Sequence, residues 1–118
     1  MSGVQTQGAR LRGEVNQWGL TRKDCENIKN ILSQNVRVER AVLFGSRAMK
    51  TFRNASDIDL ALEGENLTMN DVLLLRGEFD ESSIPFDVDL VIRANIENPE
   101  LEKQIKKYGE VVYCQIPR

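Results

Sequence analysis

The chain has 118 residues, 41% hydrophobic and 29% charged, which is the make-up of one folded domain and not of a disordered chain. Sixteen Lys and Arg against eighteen Asp and Glu leave a formal net charge of -2. This excludes the strongly basic class that binds nucleic acid by displacing counterions, and direct DNA binding is not expected.

The first 20 residues are polar, rich in Gly and Gln, and read as a flexible N-terminal arm before a single domain over 21–118. A helical turn is expected around Leu11 to Trp18, with Trp18 pinning the arm to the domain. Thr21 can cap a helix, with Asp24 completing a capping box, and Cys25, Ile28, Ile31 and Leu32 form its apolar stripe. Arg40–Phe44 is a short apolar run and reads as a buried strand. Gly45-Ser46 ends it, residues 46–49 open a helical turn, and Lys50–Ser56 read as loop. Asp57–Leu62 is a second strand. Thr68 caps a helix from Met69 to about Ser82, with Met69, Val72, Leu73 and Phe79 on its apolar side; Gly77 inside it costs about 1 kcal/mol relative to Ala. Phe86–Ile92 is the third strand. Asn98 and Pro99 start a last helix whose apolar face is Leu101, Ile105 and Tyr108, Gly109 stops it, and Val111–Cys114 is the last strand. The order predicts a small α/β (α+β) domain, one sheet with helices packed against it.

With no His, the usual zinc sites and His-dependent nucleophilic catalysis fall away. Chemistry must rest on carboxylates, Lys, Arg, hydroxyls, thiols or a hard metal ion. Cys25 and Cys114 are far apart; with no leader segment or membrane-length apolar run they read as reduced thiols of a cytoplasmic protein. Residues 57–102 hold thirteen acids and two bases, whereas residues 1–56 hold ten bases and four acids. Two solvated faces of different charge explain this, and so does a cation site beside a polyanion-binding loop.

Asp57 and Asp59 stand two apart on one expected strand, and Asp87 and Asp89 repeat the arrangement on another, so each pair shares a sheet face. A single Asp-x-Asp reads as solvated strand-end acids. Two pairs on adjacent strands repel unless a cation lies between them, and their hard oxygens suit Mg²⁺ or Mn²⁺. Gly45-Ser46, directly after a buried strand, offers backbone N–H groups and a hydroxyl to a phosphate, with Arg47, Lys50 and Arg53 as neighbouring charge.

Gly45-Ser46, ten residues, then Asp57-x-Asp59, with a later strand Val88-Asp89-Leu90, resembles the nucleotidyltransferase superfamily that includes DNA polymerase β. The stretches Leu43-Phe44-Gly45-Ser46-Arg47-Ala48 and Ser56-Asp57-Ile58-Asp59-Leu60-Ala61 resemble its minimal nucleotidyltransferase (MNT) branch, over roughly residues 21 to 115. Met49 and Lys50 stand where that branch often has a basic residue and then glycine. The resemblance implies a polymerase β-like fold with a small mixed sheet. It implies Asp57, Asp59 and Asp89 as ligands of two Mg²⁺ (or Mn²⁺) ions. Asp87 is the rival for the third place, and Asp89 is preferred because the apolar run continues from it. Gly45 and Ser46 become the phosphate grip and Arg47 its basic neighbour, with Lys50 facing the triphosphate or only solvent. ATP is the implied substrate. The implied acceptor is a tyrosine on a helical HEPN toxin partner, which the chain would silence by adenylylation as its antitoxin. Two other readings remain: a module of the same fold that neutralises its partner by binding alone, and a transferase for a small molecule or RNA end. Exposed edge strands leave a homo-oligomer open. Phe52 could stack on a base, but packing of its loop is its expected role.

Overall fold

Helix α1, Arg22–Ser33, begins where the side chain of Thr21 accepts from the Asp24 N–H at 3.0 Å and Asp24 accepts from the Thr21 N–H at 3.0 Å, the capping box expected from the sequence. The computed structural model describes residues 14–115. The element order continues β1 (Arg40–Phe44), α2 (Gly45–Met49), β2 (Ile58–Glu63), α3 (Met69–Asp80), β3 (Val88–Ile92), a single turn Arg93–Asn95, α4 (Pro99–Tyr108) and β4 (Glu110–Cys114). The strands form one mixed sheet in the order β3-β2-β1-β4. β1 runs antiparallel to β2 and β4, while β2 and β3, joined through α3, are parallel. Among the described residues no helix is long and apolar enough to cross a membrane.

Strand alternation sorts the side chains between two faces. Leu43, Ile58, Leu60, Leu62, Val88, Leu90 and Ile92 join Ile28, Leu32, Val72 and Phe79 in the larger cluster, beneath α1 and α3. Val42, Phe44 and Ala61 meet Ile105 of α4 in the smaller cluster on the opposite face. Asp59 and Asp89 alternate with buried aliphatics on their strands and so belong to the α4 face.

Several expectations are corrected. Met69 and Leu73 are exposed, and Leu75 is buried instead with Val72 and Phe79. Helix α3 meets the sheet along one narrow face, and at about 100° per residue Met69 and Leu73 are turned off it. The helix ends at Asp80, where the Ser82 hydroxyl donates to the Phe79 carbonyl at 2.7 Å and turns the chain. β3 starts at Val88, not Phe86, because its pairing with β2 begins at Ile58↔Val88, and the Phe86 ring before it lies against the Arg47 guanidinium. β2 starts at Ile58, which leaves Asp57 at its threshold. Tyr108 is exposed at the end of α4, and Cys25 is half-buried, where burial pushes its thiol pKa up and makes it less reactive.

Thr68 caps α3 as expected, and Asp71 closes that box by accepting from the Thr68 N–H at 2.8 Å. The Asn35 amide and the Thr68 N–H hold the Asp71 carboxyl down to about 2, with Arg37 also in contact at 3.1 Å. Of the segment read as an arm, residues 1–13 lie outside the described residues. In the rest, the Asn16 side chain accepts from the N–H groups of Trp18 and Leu20 at 2.9 and 3.1 Å, Val15 bridges Thr21, and Leu20 is buried.

Gly77 lies inside α3, and a methyl group there would meet nothing within 4 Å. Gly77→Ala is therefore expected to stabilise the fold by about 0.5–1 kcal/mol. Thermal unfolding of the two proteins checks this; an unchanged or lower midpoint would contradict it.

Candidate active site

Parallel pairing of β2 with β3 sets Asp59 directly opposite Asp89, between Ile58↔Val88 and Leu60↔Leu90. That register separates the rival acids. Asp87 precedes the strand and is tied into it by its carbonyl, which accepts from the Ile58 N–H at 2.9 Å. Asp59 is half-buried, and its carboxyl is pushed up to about 6, first by burial and then by the charges of Asp89 and Asp57. A carboxylate desolvated beside two others is stabilised strongly by a cation.

Gly45 stands at the junction of β1 and α2 with φ of +74°, in the left-handed region that favours glycine. A methyl group there would overlap the Asp59 carboxylate. The absence of a side chain is what lets the Gly45-Ser46 turn and Asp59 lie against each other. The first N–H groups of α2 have no partner within that helix.

A cleft of about 270 Å³ opens beside this cluster, lined by Asp57, Arg76, Asp80, Asp87, Val88 and Asp89. A larger hollow of about 780 Å³ between residues 14–16 and α1 mixes Glu14 and Glu26 with Arg22 and Lys23 and has no Gly-Ser turn beside it, so the chemistry favours the smaller cleft. Arg76 and Asp80 are additions that the sequence reading missed. They sit at i and i+4 on α3, and only the packing of α3 along β3 brings them here. Arg76 Nη2 reaches Asp89 Oδ1 at 3.7 Å, both side chains being about half exposed (47% and 54%).

Arg47, expected beside the phosphates, has its guanidinium turned to backbone carbonyls, near enough for its charge to lower the Asp59 pKa. It is 1% exposed, and its guanidinium donates to the carbonyls of Ser56, Trp18 and Gly19. Lys50 is exposed at the opposite end of α2 from Gly45, in a left-handed C-cap position with φ of 64°. The Phe52 ring lies 5.2 Å from the Arg47 guanidinium, the packing role expected for it.

Among the described residues no three acids or thiols are already gathered closely enough to hold a metal ion. The donor set nevertheless fits one. Asp57, Asp59 and Asp89 offer only hard oxygen atoms, as Mg²⁺ and Mn²⁺ require, and Asp59 keeps a raised pKa even with the Arg47 charge lowering it, a strain that such an ion removes.

A sheet that brings a Gly-Ser turn and acids from two parallel strands to one end defines a nucleotidyltransferase-type domain. The chain belongs to the polymerase beta nucleotidyltransferase family, whose model matches residues 26–118. Among solved structures, a toxin–antitoxin crystal structure with AMP-PNP is 26% identical, with a TM-score of 0.65 over 77% of this chain and 73% of that chain. A crystal structure of a mutant MntA–HpeT toxin–antitoxin is 25% identical, with a TM-score of 0.62 over 76% of this chain and 72% of that one. One chain in the structure of tri-AMPylated Shewanella oneidensis HEPN toxin in complex with MNT antitoxin shares the fold at 23% identity, with a TM-score of 0.58 over 76% of this chain and 69% of that one. No curated protein matches the sequence significantly.

Proposed function

We propose that this protein is a Mg²⁺-dependent nucleotidyltransferase that moves AMP from ATP to a hydroxyl, in our reading a tyrosine, of a HEPN-type toxin and thereby acts as its antitoxin. The observation that carries the reading is Asp59: opposite Asp89 in register, pushed up to about 6, and packed against the side-chain-free Gly45. The similar structures at 25% identity or above support the choice of substrate and partner, since they are toxin–antitoxin complexes and one contains AMP-PNP.

In this reading Asp57, Asp59 and Asp89 would hold two Mg²⁺ (or Mn²⁺) ions, which would acidify the acceptor hydroxyl and neutralise charge on the triphosphate. The Gly45 and Ser46 amides and the Ser46 hydroxyl bind the outer phosphates and orient the α-phosphorus toward the cleft. Asp89, half exposed on the edge strand β3, takes the acceptor's proton as the oxygen bonds to the α-phosphorus and pyrophosphate leaves. Lys50 adds outlying positive charge, and Arg47 does not touch the nucleotide.

ATP labelled at the α-phosphate, incubated with the protein, Mg²⁺ and lysate of its source cell, tests this beside the Asp57→Asn/Asp59→Asn variant. The expected result is one labelled protein band with the wild type and none with the variant. Label in RNA would overturn the protein acceptor. No label at all, with the partner still co-purifying, would leave neutralisation by binding alone.

A further inference from the structure

We propose that Arg47 is a positioning residue for Asp57, holding the segment before β2 and the turn at residues 16–20 to the Gly45-Ser46 corner. This inference rests on the transferase reading above and assigns Arg47 a task within it.

A basic side chain next to a Gly-Ser turn is easily read as a phosphate ligand, but the bonds of Arg47 point elsewhere. Nε and Nη2 donate to the same Ser56 carbonyl at 3.1 and 2.8 Å, while Nη1 donates to the Trp18 carbonyl at 2.8 Å and the Gly19 carbonyl at 3.4 Å. All three guanidinium nitrogens are therefore engaged by backbone oxygens. The plane is also gripped by rings, Phe86 at 4.1 Å and Phe52 at 5.2 Å from its central carbon. A nucleotide could reach this group only by dismantling that packing.

The residues that Arg47 grips are informative. Ser56 immediately precedes Asp57, and Phe86 immediately precedes Asp87. One side chain thus touches the approach to each acid-bearing strand. The Ser56 carbonyl is fixed by Arg47, and the Ile58 N–H is fixed by the Asp87 carbonyl at 2.9 Å, so Asp57 is pinned from both sides. The Ser56 hydroxyl also accepts from the Arg53 N–H at 2.8 Å, closing the loop before it. The carbonyls of Trp18 and Gly19 lie outside the stretch matched by the family model, residues 26–118, so Arg47 joins a segment beyond that stretch to the acidic cluster.

The fork geometry makes the idea testable. Lysine is a compact point charge that serves well on phosphate but cannot span Ser56 and the Trp18–Gly19 turn together. In the full chain, Arg47→Lys is expected to speed hydrogen exchange in peptides covering residues 14–20 and 53–58 by about tenfold. It should weaken Mn²⁺ binding, followed by electron paramagnetic resonance, by about 10- to 100-fold, the usual cost of losing a group that orients a metal ligand. At saturating Mn²⁺ the KM for ATP should stay within about twofold, because uniform binding to the nucleotide is not lost. Should Arg47→Lys fail to fold, Gly19→Ala provides a second route. A methyl group at Gly19 would press on Arg47 Nη1, at 2.8 Å, and on the Phe52 ring, where φ is +73°. Gly19→Ala should weaken Mn²⁺ binding in the same direction.

A raised KM for ATP with unchanged Mn²⁺ affinity would make Arg47 a phosphate ligand and overturn the proposal. So would faster exchange in both peptides with no change in Mn²⁺ affinity, the mark of a purely structural brace. A wild type that binds Mn²⁺ yet transfers nothing would sink the transferase reading and leave the positioning role to stand on exchange and Mn²⁺ binding. A wild type that binds no Mn²⁺ would overturn both.

Discussion

Asp59→Asn is expected to raise the stability of the metal-free protein at neutral pH and to abolish nucleotidyl transfer. Asp59 has a folded pKa of about 6 against an ordinary value of 3.8, raised first by burial and then by Asp89 and Asp57. Below about pH 4 the side chain is protonated in folded and unfolded chains alike and has no effect. Between about pH 4 and pH 6 the unfolded chain releases its proton while the folded chain keeps it, so stability falls as pH rises. Above that window the loss is complete. For a half-buried group, after allowance for solvent screening, it amounts to about 1–2 kcal/mol. Asparagine keeps the shape and removes the repulsion. At pH 7.5 the variant should therefore unfold roughly 5–10 °C above the wild type, and at pH 4 the two midpoints should converge. Added Mg²⁺ should reverse the order by raising the wild type alone, since a ligand stabilises only the state that binds it. A difference in midpoint that stays the same from pH 4 to pH 7.5 would show that the repulsion is not what Asp59 contributes. Transfer should fall by about a thousandfold or more, because the charged carboxylate that holds the ions is lost.

The positions of Asp59 and Gly45 were legible because they follow from local rules. A continuous apolar run from Ala41 to Phe44 makes a buried strand, Gly45 breaks it, and alternation from Asp57 to Leu62 makes the next strand. The caps at Thr21, Thr68 and Asn98 were legible for the same reason, since each needs only a few neighbouring residues. What the sequence did not disclose depends on contacts between distant segments. The outward turn of Met69 and Leu73 depends on which narrow face of α3 meets the sheet, and three leucines in a row leave the periodicity ambiguous. Asp87 and Asp89 differ by strand register, which a repeated Asp-x-Asp cannot fix by itself. The backbone bonds of Arg47 were hidden for a more specific reason. Its residue type and its place beside Gly-Ser suit a phosphate, and only the return of Trp18, Ser56 and Phe86 to one spot reveals the carbonyls and the ring that engage it. Arg76 enters the cleft for the same kind of reason, through the packing of α3 on β3.

Gly45→Ala should damage both the fold and the site, and the two effects should share one cause. Alanine at a φ of +74° meets a backbone penalty of about 1 kcal/mol, and its methyl group would overlap the Asp59 carboxylate. The Asp59 side chain is short and its strand is bound on both sides, to β1 and to β3, so it has little room to yield. Either the Gly45-Ser46 turn lifts away or Asp59 swings out, and each misaligns the phosphate grip against the acids. The expected cost is about 2–3 kcal/mol of stability, backbone penalty and overlap together. Transfer should drop about 100-fold, the scale of an ångström's misplacement of a reacting group. A double-mutant cycle with Asp59→Ala isolates the overlap. Removing the carboxylate makes space for the methyl group, so Gly45→Ala should cost less stability in the Asp59→Ala background, with a coupling of about 1 kcal/mol or more. Strictly additive losses would mean that the glycine is required by its backbone angle alone. In that case Gly45→Asn, which tolerates the left-handed region better than alanine, should recover most of the stability. If the overlap dominates, asparagine should do no better than alanine, because it carries the same offending Cβ.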